Sequence, residues 1–147
     1  MLPGVYNNDV QILQTRDHVV LLNEMIHDAR VVPMDGRPHG ALPRWMGDSR
    51  GRWDGDTLVI ETVHVSDKNP FRGSDDNLRI VEHLTRVDRS TIDYRFTIDD
   101  PTVWTQPWTV AFPLHRTNGL LFEYACHEGN FRSIEGLLRA ARLQDRQ

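Results

Sequence analysis

The chain has 147 residues, of which 39% are hydrophobic and 26% charged. That is enough for one ordinary domain with a real core, and too apolar for a disordered chain. The 17 Lys and Arg against 21 Asp and Glu leave a net charge of −4, which lacks the basic footprint that general nucleic-acid binding needs. The single cysteine, Cys126, excludes an intrachain disulfide framework, and no apolar run approaches the ~18 residues of a membrane helix.

Met1-Leu2-Pro3-Gly4 leads directly to polar Asn7-Asn8-Asp9, without the basic segment and apolar stretch of a secretory signal. As written the chain reads as cytoplasmic, or as secreted or periplasmic if a leader has been removed. Val19–Ile26 is apolar on both faces and predicts a strand buried on both sides. The segment Glu24–His39, EMIHDARVVPMDGRPH, follows and concentrates Glu24, His27, Asp28, Arg30, Asp35, Arg37 and His39. Polar residues beside so apolar a strand point to the place where a core meets a polar cavity. Histidine is the usual acid–base group at neutral pH, and a carboxylate commonly fixes its tautomer. In a regular strand Glu24 and His27 face opposite ways, so they cooperate only across a bulge or a strand end.

Gly47–Gly51 reads GDSRG and matches G-x-S-x-G, but a strand follows it where the nucleophile elbow needs a helix. Asp48 and Arg50 carry more interest there, as a carboxylate and a guanidinium at a strand entrance. Arg52-Trp53, the turn Asp54-Gly55 and the strand Thr57–Val65 read as a hairpin with a type I′ turn. Ser66–Asn77 is the longest turn-like stretch, suited to the rim of a site. Leu78–Val87 is β-rich but alternates less cleanly. Thr91–Ile98 alternates well, with Ile92, Tyr94, Phe96 and Ile98 on the core face, and Trp108–His115 repeats the pattern with Trp108, Val110, Phe112 and Leu114. Asn118-Gly119 predicts a second hairpin, into Leu120–His127. YACHEGN, residues 124–130, adds Tyr124 and His127. Its His127 and Glu128 could complete a zinc-type site with His27 or His39, although no tight ligand spacing supports one. At the C-terminus Ser133 reads as an N-cap with Glu135 in the first turn. A helix over about 133–143 places Ile134, Leu137, Leu138 and Ala141 on one face, expected to close a barrel end or cover a sheet.

The fold expected is all-β: an antiparallel barrel or strongly bent meander sheet of about eight strands, lipocalin-like in the broad sense, with one C-terminal helix and a single domain. The first functional expectation is a small metal-independent enzyme, a lyase or hydrolase acting on a polar small molecule such as a glycoside or uronic-acid derivative. His27 would be its acid or base, and Glu24 or Asp48 the carboxylate partner. Tyr124 or His127 would be the second proton-transfer group. Arg30 or Arg50 would hold a substrate anion, with His39, Trp53 and Trp104 completing the binding surface. The alternatives are a non-catalytic binder of an apolar or aromatic ligand, and a metal-dependent hydrolase. No cofactor is expected. The partner is a small-molecule substrate or ligand, with no nucleic acid and no membrane, and self-association stays open.

YNNDVQI (6–12), EMIHDARVVPMDGRPH (24–39), GDSRGRWDGDTLVIET (47–62), TIDDPTVWTQPW (97–108) and EYACHEGN (123–130) together give the chain a resemblance. From Tyr6 to Arg142 it resembles an uncharacterised family of soil-bacterial, often secreted proteins. The resemblance implies membership and a short form lacking an N-terminal segment of longer relatives. It carries no activity onto these residues.

Overall fold

The computed structural model describes residues 8–74, 76–122 and 131–144. Its strands are β1 (Val10–Gln14), β2 (His18–Asn23), β3 (Ala29–Pro33), β4 (Asp48–Asp54), β5 (Thr57–Val63), β6 (Arg79–Arg86), β7 (Thr91–Asp99) and β8 (Trp108–His115), followed by helix α1 (Phe131–Gln144). They form two antiparallel sheets, a three-stranded β1-β2-β3 and a five-stranded β4-β5-β6-β7-β8, each a simple meander.

Of the expected barrel or bent meander, the meanders are present, and among the described residues the strands do not close into a barrel. After β3 the chain runs through a loop with Pro38 and Pro43, which lack the N–H a ladder needs, before β4 begins the second sheet. Residues 120–122, the start of the strand expected after Asn118-Gly119, are not strand. The Phe122 N–H instead donates to Glu24 Oε1 at 3.1 Å, drawing the chain back toward the small sheet. The remainder of that expected strand, with Tyr124, Cys126 and His127, lies outside the described residues.

Period-two alternation gives each sheet one apolar face, and the two faces meet in one core. Val19, Leu21 and Val32 come from the small sheet, and Leu58, Ile60, Leu84, Tyr94, Phe96 and Ile98 from the large one. The inward sets expected for β7 and β8 hold, with Ile92 and the β8 residues only partly buried. β2 departs from expectation. Val19 and Leu21 are buried, but Val20 and Leu22 on the outer face of the small sheet are only half-buried.

The β4–β5 hairpin forms one residue later than expected. Asp54 pairs with Thr57, so Gly55-Asp56 is the loop. Only its first residue, Gly55, is left-handed (φ 56°), which is the II′ rather than the I′ arrangement. Helix α1 starts at Phe131, so Ser133 sits inside it and not at its cap. Glu135 accepts from Arg139 at 2.9 Å, one turn on. Its apolar face covers nothing among the described residues: Leu137 is 72% and Leu138 54% exposed. No helix among the described residues is long and apolar enough to cross a membrane.

The two sheets approach closely at Gly51 on the inner face of β4. A Cβ there would strike the Met34 sulfur and lie 2.9 Å from Val32 Cγ1. Gly51→Ala should therefore lower stability by about 1–3 kcal/mol, through overpacking against Val32 and Met34. Adding Met34→Ala should recover part of that loss. Urea unfolding of the two single variants and the double variant checks this, and strict additivity would exclude the contact as the cause.

Candidate functional site

Arg30 lies on β3 between Ala29 and Val31, pointing inward as Val32 does, with Leu21 of β2 paired opposite. Glu82 occupies the equivalent inward place on β6, the middle strand of the large sheet, opposite Ile60 and Phe96. The two sheets bring these residues together from 52 positions apart in sequence. Arg30 donates through Nη1 to Glu82 Oε2 at 2.6 Å and through Nη2 to Oε1 at 2.9 Å, a bidentate pair. Tyr94 Oη donates to the same Oε1 at 2.6 Å from the neighbouring strand β7. Beyond Arg30, Thr62 Oγ1 accepts from Nη1 at 3.4 Å and exchanges a 2.8 Å hydrogen bond with Ser49 Oγ.

These groups are almost dry: Arg30 is 7%, Glu82 1% and Tyr94 5% exposed. Burial alone would raise the Glu82 pKa. The Arg30 guanidinium and the Tyr94 hydroxyl outweigh it and hold the carboxyl well below its usual range. For Arg30 the balance runs the same way: burial disfavours the cation, and Glu82 more than restores it. The Tyr94 phenol is pushed up, first by burial and then by the ionised Glu82, so it stays protonated.

A cavity of about 290 Å³ opens onto this polar wall. Its other walls are apolar and aromatic, among them Met46, Phe71, Leu78, Phe96 and Ile98, with Trp45 and Asn69 also on its lining. Asn69, Pro70 and Phe71 of this lining come from the Ser66–Asn77 stretch. Phe71 is braced by Trp104 and Trp108, with ring centroids 6.4 and 6.3 Å away.

A second polar cluster occupies the other face of β4 and β5. Asp48 is fully buried and accepts from Gly40 N at 2.8 Å and Arg50 Nη1 at 2.7 Å, with Arg44 Nη1 at 3.2 Å. His39 stands between two carboxylates: Nδ1 is 3.3 Å from Asp48 Oδ2 and Nε2 is 3.8 Å from Glu61 Oε2. Burial works to raise the Asp48 pKa, but the Gly40 N–H and the two arginines lower it overall. Glu61 is lowered chiefly by Arg79, which donates to it at 2.6 Å.

The residues expected from sequence therefore divide. Arg30 is in the inter-sheet triad, and Asp48, His39 and Arg50 share the outer cluster. Arg50 is consumed structurally, donating to Asp48 and to the Ser49 and Pro38 carbonyls. Glu24 and His27 sit past the end of β2 but do not face one another. Glu24 is buried against Phe122, while His27 is exposed on a 3₁₀ turn (Met25–His27) whose Ile26 and His27 are left-handed, at φ 64° and 47°. Trp53 is half exposed at the far end of β4, and Trp104 packs edge-on against Trp108 at 5.6 Å. Tyr124 and His127 lie outside the described residues. Among the described residues no group of three or more His, Cys, Asp or Glu is placed to hold a metal ion. Sequence reasoning missed Glu82. Its signal was present, an acid at an inward place between Ile80 and Leu84. Compared with family models, with curated proteins and with solved structures, the chain gives no match.

Removing one partner of a buried ion pair leaves the other charge dry and uncompensated, at a cost of about 3–5 kcal/mol. Glu82→Leu and Arg30→Met should each destabilise by that much in urea unfolding. The double variant should be far more stable than the sum predicts. The depressed carboxyls of Glu82, Asp48 and Glu61 add stability that is complete above the ordinary carboxylate range and is lost progressively as pH falls from that range through their lower folded-state values, since the unfolded chain then binds more protons. Melting temperature should drop on acidification, and less steeply in the double variant.

Proposed function

We propose that this chain binds a small, mainly apolar and flat ligand carrying one neutral hydroxyl, held between the two sheets in the cavity above Arg30, Glu82 and Tyr94. The observation that supports it is the fixed protonation state of that polar wall. A general acid or base needs a pKa near the working pH. Glu82 is held ionised and Tyr94 is held protonated, so neither exchanges a proton at neutral pH. What remains is recognition: the polar wall meets a hydroxyl, and the aromatic walls take the ring. Because Arg30 already has its carboxylate, the wall favours a neutral ligand over an anion. A ligand between the layers of an antiparallel β fold is the use a lipocalin-like barrel makes of its lumen, with the small sheet here supplying the second wall.

Calorimetry with naphthol, naphthalene and naphthoate tests this. Naphthol should bind best and naphthoate worst. Ile80→Phe should fill the cavity and weaken naphthol at least about tenfold, while the melting temperature stays close to that of the parent chain. Equal affinity for all three compounds, or binding unmoved by Ile80→Phe, would reject the cavity as the site.

The enzyme reading has its own support, at a different place. His39, with a carboxylate near each ring nitrogen and 23% exposure, has the surroundings of an acid–base group. Metal-independent lyase or hydrolase chemistry on a glycoside or uronic-acid derivative would then centre on His39 and Glu61. Turnover of chromogenic glycosides, glucuronides and esters should survive EDTA and vanish in His39→Ala. Loss in His27→Ala instead, with an unchanged melt, would return the chemistry to the 3₁₀ turn.

A further inference from the structure

The inner faces of the two sheets diverge at the end opposite Trp45 and Phe71, where the β4–β5 and β6–β7 turns lie. There they enclose a cleft of about 950 Å³, at the upper end of the size range for small-molecule sites. Its floor is apolar: Leu84, Phe112 and Leu114 from the large sheet face Val10 and Ile12 from the small one. Its lining also carries Arg86, Arg89 and Arg116.

These three arginines are brought together by the fold. Arg86 donates to the Asp88 and Arg89 carbonyls at 3.1 and 3.3 Å, which ties it to the β6–β7 turn. Arg116 N–H donates to the Ser90 carbonyl of the same turn at 2.7 Å. The nearest acid in that turn, Asp88, is already engaged by Ser90 N–H and Oγ at 2.6 and 2.8 Å. Among the described residues none of the three guanidiniums has a carboxylate partner within salt-bridge distance. The acids that do line the cleft, Asp9 and Asp56, are fewer than the arginines. Clustered like charges above an apolar floor match a molecule with an anionic head and an apolar tail.

We propose that this cleft is a second binding site, for a free amphipathic monocarboxylate whose carboxylate meets Arg86, Arg89 and Arg116 while its chain lies on Leu84, Phe112 and Leu114. Charge complementarity selects the head group, and burial of the chain supplies the affinity. The site is separate from the cavity above Glu82 and does not depend on the ligand proposed there.

Titrations of dodecanoate, dodecanol and dodecyltrimethylammonium below their micellar concentrations, followed by calorimetry and by Trp53 fluorescence, test the proposal. Dodecanoate should bind tightest and the cation weakest, with an affinity for dodecanoate that falls as salt rises. Arg89→Ser with Arg116→Ser, two exposed positions whose side chains make no hydrogen bond among the described residues, should weaken dodecanoate about tenfold and leave dodecanol unchanged. Leu114→Glu should weaken both, and Ile80→Phe in the other cavity should weaken neither. The proposal fails if dodecanol or the cation binds as well as dodecanoate. It fails equally if the arginine double variant binds dodecanoate normally, or if the chain binds vesicles of anionic phospholipid but no monomeric carboxylate.

Discussion

One buried ion pair joins the two halves of this molecule. Arg30 belongs to a sheet of three short strands, and Glu82 to the middle strand of the other sheet. The rest of the core between the sheets is largely apolar, and apolar contacts are non-directional and tolerate sliding. A bidentate guanidinium–carboxylate contact has fixed geometry, so it sets the register of one layer against the other. Such pairs seldom add net stability over an apolar replacement, because both ions must be stripped of water. Placing one at the centre of a small core is therefore better understood as positioning than as stabilisation. It holds the polar wall of a cavity in one arrangement.

The connection between the sheets carries the second constraint. After β3 the chain must leave one layer and enter β4 of the other, and the loop that does so would be free to wander. Asp48 and Arg50, both facing outward from β4, pin it instead: Asp48 takes the Gly40 N–H, and Arg50 takes the Pro38 carbonyl. This staple is what places Trp45 and Met46 against the cavity. Gly51, one step along the strand on the opposite face, permits the close approach of Val32 and Met34. The segment that looked in sequence like a substrate grip is thus the device that seats the loop.

Much of the large sheet was legible in sequence because period-two alternation depends only on neighbours along the chain. β7 and β8 were readable almost to the residue, since their inward sets are unbroken runs of apolar side chains. β6 read poorly for one reason: Glu82 stands in its inward set, and an acid there breaks the alternation. The partner that makes this placement tolerable is Arg30, which no local pattern connects to it. The same limit explains the barrel. Local alternation gives strands and turns, but whether strand three pairs with strand four is decided by the prolines and polar anchors of the intervening loop. His27 drew attention through its company, Glu24 and Asp28. The left-handed backbone at Ile26 and His27 then leaves that side chain on the outside of the turn while Glu24 goes inward.

The two spaces between the sheets differ in electrostatics, and that difference follows from where the charges stand. At one end the cation was placed deep in the core, where it had to be neutralised; the wall it makes is polar but balanced, and it suits an uncharged hydroxyl. At the other end the cations lie at the surface, where water already solvates them and no internal carboxylate is needed. They remain available to an anion that arrives from solution. Desolvation alone thus sorts the ends. A charge buried during folding must bring its own counter-ion, and a charge left at the mouth of a cleft can take its counter-ion from a ligand. The same pair of sheets then presents a neutral pocket and a cationic cleft on a single apolar core.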